Sequence, residues 1–253
     1  VSLVILAIDI GNTSTACAVF RGRSIVFRHH VPTPRRWTAG RLLTLLRPTW
    51  AGRIGTVEVS SVVPAHNRGV ADDCRKILGR EAHFLDYRGA GGIAFKIGRP
   101  SALGADRIAG CLGALRLLPP PVIVIDAGTA ITFDLVNAEK EYCGGCILPG
   151  IDVAIRGLAD HTARLKSVAF AVPASPVGTS TAQCIRAGVF FGAIGTLTHL
   201  IGVYRAILGP SSRVVATGGQ MRHFRGRVPG IDRFEPDLLF FGLKSAAEQR
   251  AHP

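Results

Sequence analysis

A chain of 253 residues and 26.8 kDa is long enough for one large domain, or for two of about 120 residues that each bury a core. With 47% hydrophobic and 19% charged residues, it is neither a disordered chain nor a disulfide miniprotein. The net charge of +13, from 30 Lys and Arg against 17 Asp and Glu, invites a nucleic-acid or polyphosphate partner, yet the cations are mostly arginines scattered from Arg21 to Arg250, as on a solvated surface.

The apolar start VSLVILAI has no basic leader and runs straight into Asp9, so no secretory signal is expected. ILAIDIGNT (5–13) is a β-branched run ending in Asp-x-Gly, which reads as a strand, a tight turn carrying a carboxylate, and a second strand. Strands are then expected at 24–30 and 54–61 around a helical pattern at 37–46. Pro64 starts a helix whose Val70, Cys74, Ile77 and Leu78 share one face. The triple proline at 119–121 is the expected boundary, giving domains 1–118 and 119–253. VIVIDAGTA (122–130) then echoes the first strand and turn, implying two similar α/β halves with a cleft between them. A long helix from about Thr181 to Leu208, a strand at 213–216 and a last helix after Pro236 complete the alternation.

Within that long helix, residues 187–204 lack formal charge and contain a G-x-x-x-G. Thr196, Thr198, His199 and the glycines dilute the apolar run, so a buried helix is expected rather than a membrane span. Gly188, Gly192, Gly195 and Gly202 fall on one helical face, each costing about 1 kcal/mol against alanine. Another backbone is expected against that stripe, from the neighbouring domain or from a second subunit. The six cysteines sit mostly in apolar segments and read as reduced core thiols. Cys143 and Cys146 form a C-x-x-C but lack the second pair of a structural zinc site.

The turn at 9–13 supplies what a nucleotide phosphate needs. Gly11 lets backbone N–H groups approach phosphate oxygens, Thr13 and Ser14 add hydroxyls, and Asp9 can hold a hydrated Mg²⁺. Alone, such a turn could equally be an ordinary hairpin. Its repetition at 126–129 points to two carboxylates facing each other across a cleft, suited to cations that bridge a polyphosphate. There is no Walker A pattern. VVATGG (214–219) adds a strand ending in Thr217, Gly218 and Gly219, a turn that could admit the flat face of an adenine. MRHFRGR (221–227), an aromatic among cations, keeps a nucleic-acid-binding or regulatory role open.

DIGNT, then GADR (104–107), DAGTA (126–130), GGCILPG (144–150) and ATGG (216–219) occur in the order and spacing of type III pantothenate kinases. Further matches lie at DHTARL (160–165), VGTSTAQCIRAG (177–188) and PDLLFFGL (236–243), so the chain resembles that family from about residue 6 to about residue 243. The family, some of whose members are called Bvg accessory factor homologues, belongs to the actin, sugar kinase and heat-shock ATPase superfold. DxGT turns are shared across the superfold, whereas GADR combined with GG-x-I-x-PG is specific to the family. The resemblance implies two similar ribonuclease H-like, actin-like ATPase domains with a nucleotide cleft between them. It also implies the phosphorylation of pantothenate by ATP, the first step of coenzyme A biosynthesis.

The same resemblance implies residue roles. Asp106 is the base that receives the proton of the pantothenate hydroxyl, and Gly104, Ala105 and Arg107 complete the substrate turn. Asp9, Ile10, Gly11, Asn12, Thr13, Ser14, Thr15 and Ala16 form the ATP phosphate loop, with Asp9 holding Mg²⁺ through water. Thr129, Gly218 and Gly219 are ATP contacts, Asp126 holds a monovalent cation (K⁺ or NH₄⁺), and Thr181 touches substrate near a homodimer interface. A cytoplasmic homodimer acting on a small molecule, with no membrane and no nucleic acid, is the expected setting. Three departures bear on the acceptor pocket. Ile97-Gly98-Arg99-Pro100 replaces a Tyr-x-Asn-Pro pattern, Ala102 stands for an acid, and Ser180 for an asparagine. They leave open another acceptor, as in a sugar kinase or a polyphosphate phosphatase, against which GADR in register with GGCILPG argues.

Overall fold

A computed structural model describes residues 3–46, 50, 52–162 and 168–251; residues 163–165 of the DHTARL match lie outside the described residues. The chain divides into two compact units, one running up to Leu117 and resuming at Asp237, the other spanning residues 118–236.

The first unit begins with β1 (Val4–Ile10), β2 (Ser14–Arg21) and β3 (Ser24–Pro32), followed by α1 (Leu42–Leu45), β4 (Thr56–Ser61), α2 (Pro64–Asp73), β5 (Ala82–Phe84), the two-residue β6 (Ala94–Phe95) and α3 (Ala105–Leu117). Its sheet has the order β3-β2-β1-β4-β5. β1 is antiparallel to β2 and parallel to β4. Ile5, Leu6, Ala7, Ile8 and Ile10 of β1 are all buried, the pattern of a central strand covered on both faces. Pro64 starts α2, where its missing N–H costs nothing, and Val70, Cys74 and Leu78 join the core with Leu6, Ile8, Val19 and Val59. The helix expected at 37–46 shrinks to the single turn α1. The buried Asp73 carboxylate accepts from Trp37 Nε1 (2.9 Å), Gly40 N (2.8 Å) and Leu42 N (3.0 Å), which holds 37–41 as a loop and leaves only the next turn free to coil.

The second unit holds β7 (Val122–Ala127), β8 (Ala130–Val136), β9 (Glu141–Pro149), α4 (Ile151–Asp160), α5 (Thr181–Leu208), β10 (Arg213–Thr217), α6 (Met221–Phe224) and β11 (Arg233–Phe234). Its strands run β11-β10-β7-β8-β9, with β7 antiparallel to β8 and parallel to β10. The echo in the sequence is therefore a repeated topology, in which each Asp-bearing strand is central and plays the same part. The α5 helix has the expected 28 residues but is not the buried helix expected. Ile185, Ala187, Phe190, Leu197 and Ile201 face the core, while only 28% of its most apolar stretch is buried, and by length and composition it could cross a membrane. A Cβ placed on Gly188, Gly192, Gly195 or Gly202 meets nothing within 4 Å, so no described residue supplies the neighbouring backbone expected against the stripe. The thiols also depart from expectation. Cys17, Cys74 and Cys111 are buried, but Cys143 and Cys184 are exposed and Cys146 is half-buried.

The final helix, α7 (Leu238–Ala251), was expected in the second half and belongs to the first unit. It crosses α3 so closely that a Cβ on Gly113 would strike the Leu238 backbone, and one on Gly242 would strike that of Ala109. Ion pairs surround this crossing. Arg28 donates two hydrogen bonds to Asp237 (2.8 and 2.6 Å), Arg116 pairs with Glu248 (2.8 Å), the buried Lys244 pairs with the same Glu248, and Arg250 Nη2 donates to Glu58 Oε1 (2.8 Å). The solvent-facing pairs contribute about 0–1 kcal/mol each, and those of Lys244 and Glu58 chiefly offset the cost of burying one partner, so close packing holds the helix and the pairs fix its register. Part of the arginine excess is spent here.

Glu58, on β4, is fully buried and its Oε2 has no partner. Burial pushes its carboxyl from 4.5 up to about 7, against the opposing pull of Arg250. The folded chain thus keeps a proton that the unfolded chain gives up near 4.5. The associated stability is complete below about 4.5 and is lost as pH rises through about 7. Glu58→Gln is expected to flatten the fall in melting temperature between pH 4.5 and pH 8, removing a pH-dependent contribution on the order of 2 kcal/mol, read by thermal unfolding across that range.

Candidate active site

In the first unit, Asp9 is the penultimate residue of β1, paired in register with Ala16 on β2 and with Ser60 on β4. The turn that follows is closed by Gly11 N donating to Ser14 O (2.9 Å), with Asn12 and Thr13 exposed. Ile10 and Thr15 are buried, so their side chains serve the core rather than a ligand. From just beyond β3, Thr33 reaches back to this turn. Its N–H donates to Thr13 O (3.0 Å), its hydroxyl donates to Gly11 O (2.7 Å), and its Oγ1 lies 2.8 Å from Thr15 Oγ1.

Asp106 stands in the first turn of α3, after Gly104, whose carbonyl accepts from Ile108 N (3.2 Å). The Asp106 carboxylate folds back, with Oδ1 accepting from Arg107 N (2.8 Å), and occupies the space where a side chain at 104 would begin. A Cβ there would push that carboxylate aside. Burial raises the Asp106 carboxyl above its ordinary range, against the opposing N–H and guanidinium of Arg107. Asp9 is pushed up to about 7, chiefly by burial, with the Ser60 hydroxyl lowering it and the charge of Asp106 raising it further. The structure therefore brings Asp9 and Asp106 within electrostatic reach of each other. Two carboxyls that resist ionisation together can accept a proton or share a cation. Ala102 is exposed on a 3₁₀ turn just before them.

The second unit repeats the first arrangement. Asp126 on β7 is paired in register with Thr132 on β8 and with the buried Thr217 on β10, just as Asp9 has Ser60 beside it. Gly218 is left-handed (φ +95°), and a Cβ on it would strike Asp126 Oδ1 and the Ala127 backbone, so the two turns touch. Gly150 N donates to Thr129 O (3.0 Å), bringing the GGCILPG segment against the same turn. Gln220 ties these parts together. Its N–H donates to Ala127 O (2.8 Å), its Oε1 accepts from Ile151 N (3.0 Å) at the start of α4, and its Nε2 donates to Asp152 (3.2 Å).

Thr181 is the exposed first residue of α5. Ser180, where an asparagine is usual, caps that helix by accepting from Gln183 N (3.4 Å), so the exchange keeps the capping chemistry. The aromatic of MRHFRGR is not available for base stacking, because Phe224 is buried and stacks on Phe190 (centroids 5.6 Å apart). Ser60, Gln220 and Thr33 lie outside the motifs recognised in the sequence, whereas Thr217 belongs to ATGG. Ser60 could have been found from the repeat itself, as the counterpart in β4 of Thr217 in β10, each on the parallel partner of an Asp-bearing strand.

Comparison with known proteins agrees with these motifs. A family model described as type III pantothenate kinase matches residues 5–202. A type III pantothenate kinase of Parafrankia sp. is 34% identical over 99% of this chain and 100% of its own length. Among solved structures, a conserved Baf family protein of Campylobacter jejuni described as a transcriptional activator is similar with a TM-score of 0.60 at 19% identity, over 98% of this chain and 100% of that one. A ROK hexokinase of Thermus thermophilus is similar with a TM-score of 0.51 at 14% identity, over 98% and 99%, so the two chains share a fold. Gly218→Ala, which adds a Cβ against Asp126 at a left-handed position, is expected to cost about 1–3 kcal/mol in stability, measured by denaturant unfolding of the whole chain.

Proposed function

This chain belongs to the type III pantothenate kinase family and is an ATP-dependent kinase of pantothenate, feeding coenzyme A biosynthesis, and we propose that Asp106 is the base of its phosphoryl transfer. It uses ATP with a divalent metal ion. The observation that carries the Asp106 assignment is a carboxylate raised by burial, held over Gly104 at the start of α3 and within reach of the charge of Asp9. In phosphoryl transfer the protein has little covalent work to do and acts by positioning and by electrostatics. With Oδ1 held by Arg107 N, the other oxygen of Asp106 takes the proton of the attacking pantothenate hydroxyl. Such a base contributes about 10² to 10⁴ in rate. Gly104 and Ala105 shape the acceptor turn, and Arg107 offers its guanidinium to the pantothenate carboxylate or to the transferring phosphate.

The turn at 9–16 receives the nucleotide phosphates through its backbone and the hydroxyls of Thr13 and Ser14. No group of three or more His, Cys, Asp or Glu side chains gathers into a metal cage among the described residues. A lone carboxylate such as Asp9 fits Mg²⁺, which keeps several waters and leans on substrate phosphates. When bound, that ion neutralises charge on the β- and γ-phosphates. Asp126 holds the monovalent cation, Thr129 contacts ATP, and Gly218 and Gly219 leave a side-chain-free surface for the adenosine. Thr181 contacts substrate beside a homodimer seam. The open glycine face of α5, with Val203 and Ile207 exposed nearby, supports that seam. The setting is the cytoplasm.

Purified protein supplied with ATP, Mg²⁺ and pantothenate is expected to form phosphopantothenate, at a rate raised by K⁺ or NH₄⁺. Asp126→Ala is expected to lose that stimulation. A wild-type rate indifferent to monovalent cations would remove the role given to Asp126.

A further inference from the structure

Thr33 stands between two prolines, Pro32 and Pro34. Pro32 closes the β3 ladder opposite Ser14 and fixes its own φ, and Pro34 confines Thr33 to an extended backbone. Thr33 is thus stiffened before it touches anything. What it touches is the turn after β1. The single hydroxyl proton of Thr33 goes to Gly11 O (2.7 Å), so Thr33 Oγ1 receives the proton of the fully buried Thr15 hydroxyl (2.8 Å). The Thr33 N–H meanwhile holds Thr13 O (3.0 Å).

These bonds orient two peptide planes. In a trans peptide the C=O of one residue and the N–H of the next point in opposite directions. With the carbonyls of Gly11 and Thr13 turned toward Thr33, the N–H groups of Asn12 and Ser14 are turned away from it. A carbonyl left to rotate outward would instead set a negative dipole against an incoming phosphate. We propose that Thr33 is a positioning residue for ATP, holding the carbonyls of Gly11 and Thr13 inward so that the N–H groups of Asn12 and Ser14 are presented to the nucleotide phosphates. This rests on the phosphate-loop role given above to residues 9–16. The Thr15 hydroxyl is the support behind it, fixing which way the Thr33 proton points.

Thr33→Val keeps the shape and the backbone N–H while removing the hydroxyl. It is expected to raise KM for ATP about tenfold, with KM for pantothenate and the melting temperature close to wild type, and Thr33→Ser is expected to restore KM for ATP to within about twofold. Equilibrium binding separates this from general damage. Thr33→Val should weaken ADP about tenfold and leave adenosine unchanged, and Thr15→Val, which removes only the support, should weaken ADP about threefold. A wild-type KM for ATP in Thr33→Val, equal losses for ADP and adenosine, or a Thr33→Ser variant no better than Thr33→Val would overturn the proposal. If the wild-type protein itself binds ADP no more tightly than adenosine, the phosphate-loop reading falls first and the role of Thr33 with it. That outcome is seen without any variant.

Discussion

The constraint on which the rest of the first unit turns is the burial of a carboxylate at the end of a central strand. β1 is flanked on both edges and covered on both faces, so Asp9, half-buried at its end, is largely withdrawn from bulk water, and its carboxyl rises to about 7. A charge held there must be balanced by something brought in: a proton, a cation, or a cation carried by a nucleotide. Asp106 adds to the pressure from the start of α3, and Gly104 makes room for it to do so. Two partly buried carboxyls that resist ionising together form a setting that a proton or a cation would relieve. The second unit builds the same strand end around Asp126, with Thr217 where the first has Ser60.

Little of this depends on the surface charge that first drew attention. Several arginines hold the chain's own acids, with Arg28, Arg116 and Arg250 gathered around the returning helix α7. That helix is seated by a crossing in which Gly113 and Gly242 let two backbones meet, and its pairs orient what packing has already placed. The groups proposed to work, Asp9, Asp106 and Asp126, are acids at strand and helix ends, and they are few.

The two Asp-bearing turns, the long helix and the repeated halves were legible because each is written in neighbouring residues: a β-branched run, then Asp-x-Gly. What could not be read depends on partners far along the chain. Ser60 stands beside Asp9 only because β4 pairs parallel with β1, and Asp73 shortens a helix begun more than a full strand earlier. The return of α7 to the first unit needed the fit of Gly242 against Ala109, which no local pattern announces. The openness of α5 was hidden for a related reason. Its composition shows that it can be buried, not that this chain buries only one stripe of it. Gln220 and Thr33 are polar residues beside motifs, with no spacing to mark them as the ties that hold those motifs in place.

The proposed role of Asp106 in taking the proton of the acceptor hydroxyl is tested most directly by steady-state turnover of Asp106→Asn, beside its binding of ATP. The amide fills the same space over Gly104 but cannot serve as the base. In Asp106→Asn, kcat is expected to fall by about 10² to 10⁴ with ATP affinity close to wild type. Turnover near the wild-type rate would contradict it and require another group to receive the proton.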